Sequence, residues 1–235
     1  MRSSVVGVVF TCGIVAASAV SAQTAATPGG TDLYHVHFVK AAAGQAASLG
    51  KALQIPDKSD PMPEHFVVLR HQEGDDWDYA VIQHLGQKAE VSTAPSTRTA
   101  ERDLRAWHTD TFVSGPSWAE FTKQMGIGGP GNAANLVYII GVHREVPGHR
   151  EQLTKSLNAP GPSSKIQTGS VFLTHVEGSE WSFMTITRYN SWQDVAAERA
   201  DAAAATASTV GGWADIRQHS AFHRDTIADR IFPAR

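Results

Sequence analysis

Sliding the chain against itself by 104 residues pairs 33–84 with 137–188 without a gap, and 14 of those 52 positions are identical. Unrelated chains of ordinary composition would share about three. The matches fall where a fold would demand them: Tyr34 with Tyr138, Gly44 with Gly148, Leu49, Lys51 and Leu53 with Leu153, Lys155 and Leu157, and Pro56 with Pro160. The densest block sets Val67 to Trp77 against Val171 to Trp181, including His71-x-Glu73-Gly74 against His175-x-Glu177-Gly178. Further on, Ala106-Trp107-His108-Thr109-Asp110-Thr111 matches Ala221-Phe222-His223-Arg224-Asp225-Thr226 at an offset of 115, so the second copy has gained 11 residues, which the Ala-rich tract 202–212 accommodates. A chain of 235 residues is thus one unit written twice.

The repeat divides the chain into 1–22, 23–32, 33–113, 114–135 and 136–235. The first piece reads Met1-Arg2-Ser3-Ser4, then an apolar run from Val5 to Val20, then Val20-Ser21-Ala22 before Gln23. That is the pattern of a secretory signal peptide, too short and too diluted by Ser, Thr and Gly for a spanning helix, and it predicts a periplasmic or secreted protein. Cleavage would remove Cys12, the chain's one cysteine, leaving no disulfide and no thiolate ligand. Residues 23–32 read as a flexible tail, and 114–135, with Gly126-Ile127-Gly128-Gly129-Pro130-Gly131, as a linker that lacks the Lys-Ser/Thr ending of a phosphate-binding loop. With 20 Lys+Arg against 23 Asp+Glu and no basic run, nucleic acid and anionic membranes are not expected partners.

Within each copy the pattern predicts strand, helix, hairpin, helix, strand. Tyr34, Val36 and Phe38 alternate with His35, His37 and Val39, the period of a strand. Residues 44–54 space Ala47, Leu49 and Leu53 as a short helix, and 66–71 and 77–84 form strands around the Glu73-Gly74-Asp75 turn. A helix is expected from about Ser96 to Trp107, and its counterpart opens at Ser191-Trp192-Gln193-Asp194. Residues 108–113 and 223–232 read as closing strands, with a helical continuation as the alternative.

The order βαββαβ is the ferredoxin-like arrangement. Two such units, each with a Glu-Gly hairpin and a Trp, resemble the dimeric α+β barrel superfamily with both halves fused in one chain, an α+β fold. That resemblance covers about 33–113 and 137–232. It implies a relative of cofactor-free monooxygenases, haem-degrading oxygenases, haem peroxidases, chlorite-decomposing enzymes and small stress-response proteins, and so does not choose among them.

Strand alternation assigns the candidate site. If Tyr34, Val36 and Phe38 meet the helices, His35 and His37 face the barrel's interior cavity, and Arg70, Tyr79 and Gln83 join them as substrate-binding groups. The second copy has Ile139, Gly141, Thr174, Phe183 and Thr187 there. His108 and Asp110, two apart on one strand, share a face, so His108 is the expected general base and Asp110 its orienter. The same pair at His223 and Asp225 leaves open a purely structural role, bridging strand to helix in both copies. His35, His37 and His108 could also supply metal ligands, but no spacing is diagnostic, and a site without metal or tightly held cofactor is expected, with haem or a metal as the alternatives. The function expected is that of an exported monooxygenase-type enzyme acting on a small organic compound. The alternative is a non-catalytic periplasmic protein that binds a small ligand or haem. A homodimer is compatible with either.

Overall fold

The computed structural model describes residues 30–88, 101–128, 135–160, 165–204 and 210–233. The predicted signal peptide, most of the tail, the first part of the helix expected from Ser96 and the middle of the Ala-rich tract lie outside them. The elements are β1 (Asp32–Ala41), α1 (Ala46–Leu53), β2 (Phe66–Glu73), β3 (Tyr79–Gln87), β4 (Arg105–Gly115), α2 (Trp118–Met125), β5 (Val137–Glu145), α3 (Arg150–Asn158), β6 (Gly169–Glu177), β7 (Phe183–Tyr189), α4 (Trp192–Ala204), α5 (Trp213–His219) and β8 (Ser220–Phe232). Its strands close into an antiparallel barrel in the order β1-β3-β2-β8-β5-β7-β6-β4. Read around the ring, the first half runs β4-β1-β3-β2 and the second β8-β5-β7-β6, the same order twice. Two seams join the halves, β2 with β8 and β4 with β6. Among the described residues, closure leaves no strand edge unpaired.

All eight strands send side chains into one apolar cluster, which fixes it as the barrel interior. It holds Tyr34, Val36, Phe38, Leu69, Ile82, Val113, Tyr138, Ile140, Leu173, Ile186 and Ala228, among others, with Trp77 and Trp181. The expected facing of β1 is therefore reversed: Tyr34, Val36 and Phe38 point inward, and His35 and His37 point out. The physical reason is coverage. Burying a large apolar side chain contributes about 1.5–3 kcal/mol, so the bulkiest set goes where burial is most complete. Inside the closed ring that burial is shared by every strand, whereas α1 is only 8 residues long and covers the outer face over Val39, Phe66, Val68, Tyr79 and Val81.

The interval 114–135 is not all linker, because it contains α2. Ser117 caps the helix by accepting from the Glu120 N–H, and Gly126 ends it at a φ of 66°, a left-handed conformation glycine adopts freely. Phe121 and Met125 join the interior cluster. Two repeat-equivalent tyrosines hold the helix at its ends: Tyr34 Oη donates to the Pro116 carbonyl at 2.7 Å and Tyr138 Oη to the Met125 carbonyl at 2.8 Å. Residues 105–107, expected to finish a helix, instead begin β4, and the closing segment of the second half is strand throughout. α4 opens as expected, with Ser191 Oγ accepting from the Asp194 N–H at 3.1 Å. The extra residues of the second copy lead into α5, which packs near α3 and β8.

The repeated His-x-Glu-Gly turns add contacts between the halves beside those seams. Gly74 and Gly178 have φ of 124° and 102°, and a side chain on either would strike the closing strand of the other half, at Asp225 and Thr226 or at Asp110 and Thr111. His71 and His175 each meet their own half's tryptophan edge-on, at 5.5 Å and 5.7 Å between ring centres.

Candidate functional site

β1 and β4 are antiparallel neighbours in a register that sets His37 opposite Asp110, His35 opposite Phe112 and Val39 opposite His108. On one face of such a pair, directly opposed and diagonal side chains both lie within reach. The alternation H-x-H on β1 and H-x-D on β4 therefore places three imidazoles around a single carboxylate on the barrel's outer face. Asp110 Oδ1 takes His35 Nε2 at 2.9 Å and His37 Nδ1 at 2.7 Å, and Asp110 Oδ2 lies 2.8 Å from His108 Nδ1. His37 Nε2, on the far side of its ring, is 3.7 Å from Glu101 Oε2.

Access is graded. The side chains of His108 and Asp110 are 35% and 40% exposed, whereas that of His37 is 7% exposed. The Phe112 ring centre lies 5.3 Å from that of His35, and the His108 ring centre 5.1 Å from that of His37. Burial alone would raise the Asp110 carboxyl, but hydrogen bonds and charge from His35 and His37 outweigh it and hold the group well below the ordinary carboxylate range. For His37 the balance runs the other way. Burial lowers it below the ordinary histidine value despite the attraction of Asp110 and Glu101. An ionised carboxylate only accepts, so the His37 nitrogen facing Asp110 is the protonated one.

Of the residues expected to form the site, the structure brings together His35, His37, His108 and Asp110. Arg70, Tyr79 and Gln83 share their outer face but have other partners. Arg70 makes a two-pronged ion pair with Asp229 across the β2–β8 seam, at 3.0 Å and 2.8 Å. Tyr79 Oη donates to the Ala46 carbonyl at 2.7 Å, and Gln83 Nε2 donates to Asp60 Oδ2. Glu101 is the member that sequence reasoning missed, since it precedes β4 on a short turn and no spacing links it to His37.

The second half has the same pair in a different setting. Asp225 receives Arg199 from α4 at 3.3 Å, and Arg217 of α5 donates to His223 Nδ1 at 2.6 Å. Gly141 stands where His37 stands in the first half. His143 lies against His223, with 5.8 Å between ring centres, and burial is the main cause that lowers it to about 4. The strand-to-helix bridge considered for both pairs thus occurs in the second half, while in the first Asp110 gathers histidines from the neighbouring strand.

No protein-family model and no curated protein sequence matches the chain. Solved structures do match in fold. An anthrone oxidase-like protein shares 14% identity at a TM-score of 0.56, over 86% of this chain and 92% of its own. A candidate monooxygenase from Fusobacterium nucleatum subsp. nucleatum shares 6% at 0.57, over 86% and 93%. A second candidate monooxygenase, from Lactobacillus acidophilus, shares 10% at 0.50, over 85% and 94%. The chain shares the mixed α+β fold of these structures, with eight antiparallel strands and five α-helices among the described residues.

Proposed function

We propose that this chain is an exported, oxygenase-type enzyme built from two fused ferredoxin-like units. It acts on a small, electron-rich aromatic compound at the cluster of His35, His37, His108 and Asp110. The observation that carries the reading is one ionised carboxylate that accepts from two imidazoles and lies 2.8 Å from a third, at a partly exposed position on the barrel wall. The identical strand order of the two halves supports the fused-unit reading, and the names borne by two kinds of fold relative agree with the reaction class.

His108 is the proton acceptor, and Asp110, whose Oδ2 lies 2.8 Å from His108 Nδ1, stabilises the imidazolium that forms. A substrate with an acidic C–H flanked by aromatic rings gives up that proton and becomes electron-rich enough to reduce O2. Conversion of such a CH2 to a carbonyl balances as one substrate and one O2 giving one carbonyl product and one water. The substrate supplies all four electrons, and no external reductant enters.

The test is oxygen consumption by protein recovered outside the cytoplasm, its mass expected to begin at Gln23, against a panel of phenolic and polycyclic aromatic compounds. Saturable uptake of one O2 per carbonyl formed is expected for at least one of them. Saturable binding with no uptake across the panel would replace the enzyme reading with that of a binding protein.

A further inference from the structure

We propose that His35 Nε2, His37 Nδ1 and an Asp110 oxygen bind one divalent first-row transition-metal ion, with Glu101 as the outer partner of His37. The inference rests on the site proposed above and adds its cofactor. Among the described residues this is where three potential ligand atoms converge, all within 4.8 Å of one another. Two imidazoles and one carboxylate form the donor set that suits iron, manganese, cobalt or zinc and leaves further positions open, whereas calcium and magnesium favour all-oxygen sites. An ion about 2.1 Å from each ligand asks adjacent donor atoms to sit about 3 Å apart. The 2.7 Å and 2.9 Å separations from Asp110 to the two imidazoles are already close to that spacing.

The surroundings fit a ligating His37 better than a merely hydrogen-bonded one. His37 is buried, and its Nε2 has no hydrogen-bond partner. Metal binding at Nδ1 moves the ring proton to Nε2, which then points at the buried carboxylate of Glu101, 3.7 Å away. A ligating histidine ordinarily donates its second nitrogen to such a carboxylate, which fixes the ring and raises its basicity. His108 Nδ1 lies 2.8 Å from the other Asp110 oxygen, so the proposed base stands beside the open coordination positions. Gly141 and Ile139 remove both imidazoles from the equivalent place in the second half, so one ion per chain is expected.

The test is titration of chelator-treated protein with Co2+, followed by its visible absorption band, and with Zn2+ by calorimetry. One ion per chain is expected. His35→Ala and Asp110→Asn, both at partly exposed positions, should each weaken binding at least about 100-fold, and Glu101→Gln about 10- to 100-fold. Asp225→Asn should leave binding unchanged, and thermal melts of every variant separate lost ligands from lost folding. Absence of a stoichiometric ion, or equal binding by folded Asp110→Asn protein, overturns the metal site. Because binding is read without substrate, that failure leaves the oxygenase reading standing. A loaded protein that consumes no O2 counts against the oxygenase reading alone.

Discussion

At the residue scale the two His-x-Asp pairs show how one inherited arrangement diverges through its neighbours. Asp110 faces imidazoles and Asp225 faces the guanidinium of Arg199, although both sit at the same place on a closing strand. The pairs were legible in the sequence because they repeat, and so was the sharing of one face by His35 and His37. Glu101 was not, because its approach to His37 depends on a turn. His143 carries a prediction of its own. Val39 occupies the equivalent position in the first half, so a buried histidine there is not demanded by the fold. In the folded chain His143 is lowered from 6.5 to about 4, so between those values the unfolded chain binds the proton and the folded one does not. Stability is therefore full above about pH 6.5 and falls as pH drops towards 4, by about 3 kcal/mol at most from this group. Replacing His143 with Val should flatten that part of the profile, read by denaturant melts from pH 7.5 to 4. An unchanged slope would show that His143 is not buried in its neutral form.

At the element scale, strands were the easiest features to read and helices the hardest. Alternation marks β1, and the repeated Glu-Gly turn marks both hairpins, but α2 is 8 residues long and adjoins a Gly-rich stretch that masks it. Which face of β1 points inward was not readable, because both parities carry ring side chains and only the ring of eight strands decides between them. The hairpin tips allow a paired test. Alanine at Gly74 or Gly178 meets both a left-handed backbone and the opposing strand, and each should cost about 1–3 kcal/mol. Gly178 abuts the Asp110 backbone and Gly74 the Asp225 backbone. Gly178→Ala should therefore also disturb the histidine cluster, seen as shifted imidazole resonances of His35 and His108, while Gly74→Ala leaves those resonances in place. Equal disturbance by both would mean that the tips do not position the closing strands separately.

At the scale of the whole molecule, two sets of four strands in the same order close one barrel within a single chain, and their outer faces carry different side chains. The repeat made the closure legible, since two four-stranded sheets with apolar inner faces complete each other at the β2–β8 and β4–β6 seams. The asymmetry was legible only as a contrast of side chains, His35 and His37 against Ile139 and Gly141, and the wall they stand on had to be seen. If the first half's outer face is the site, function must follow that face and not its counterpart. The direct measurement is O2 consumption, with an accepted aromatic substrate, by two double variants. The first is His35→Ile with His37→Gly, which copies the second half. The second is His223→Ala with Asp225→Asn, which removes the counterpart pair. Turnover by the first should fall at least about 100-fold, because Asp110, which supports the base His108, loses both imidazoles that hold it, and turnover by the second should stay within about twofold of the parent. Loss in the second variant alone, or equal turnover in both, would contradict the assignment of the site to the first half.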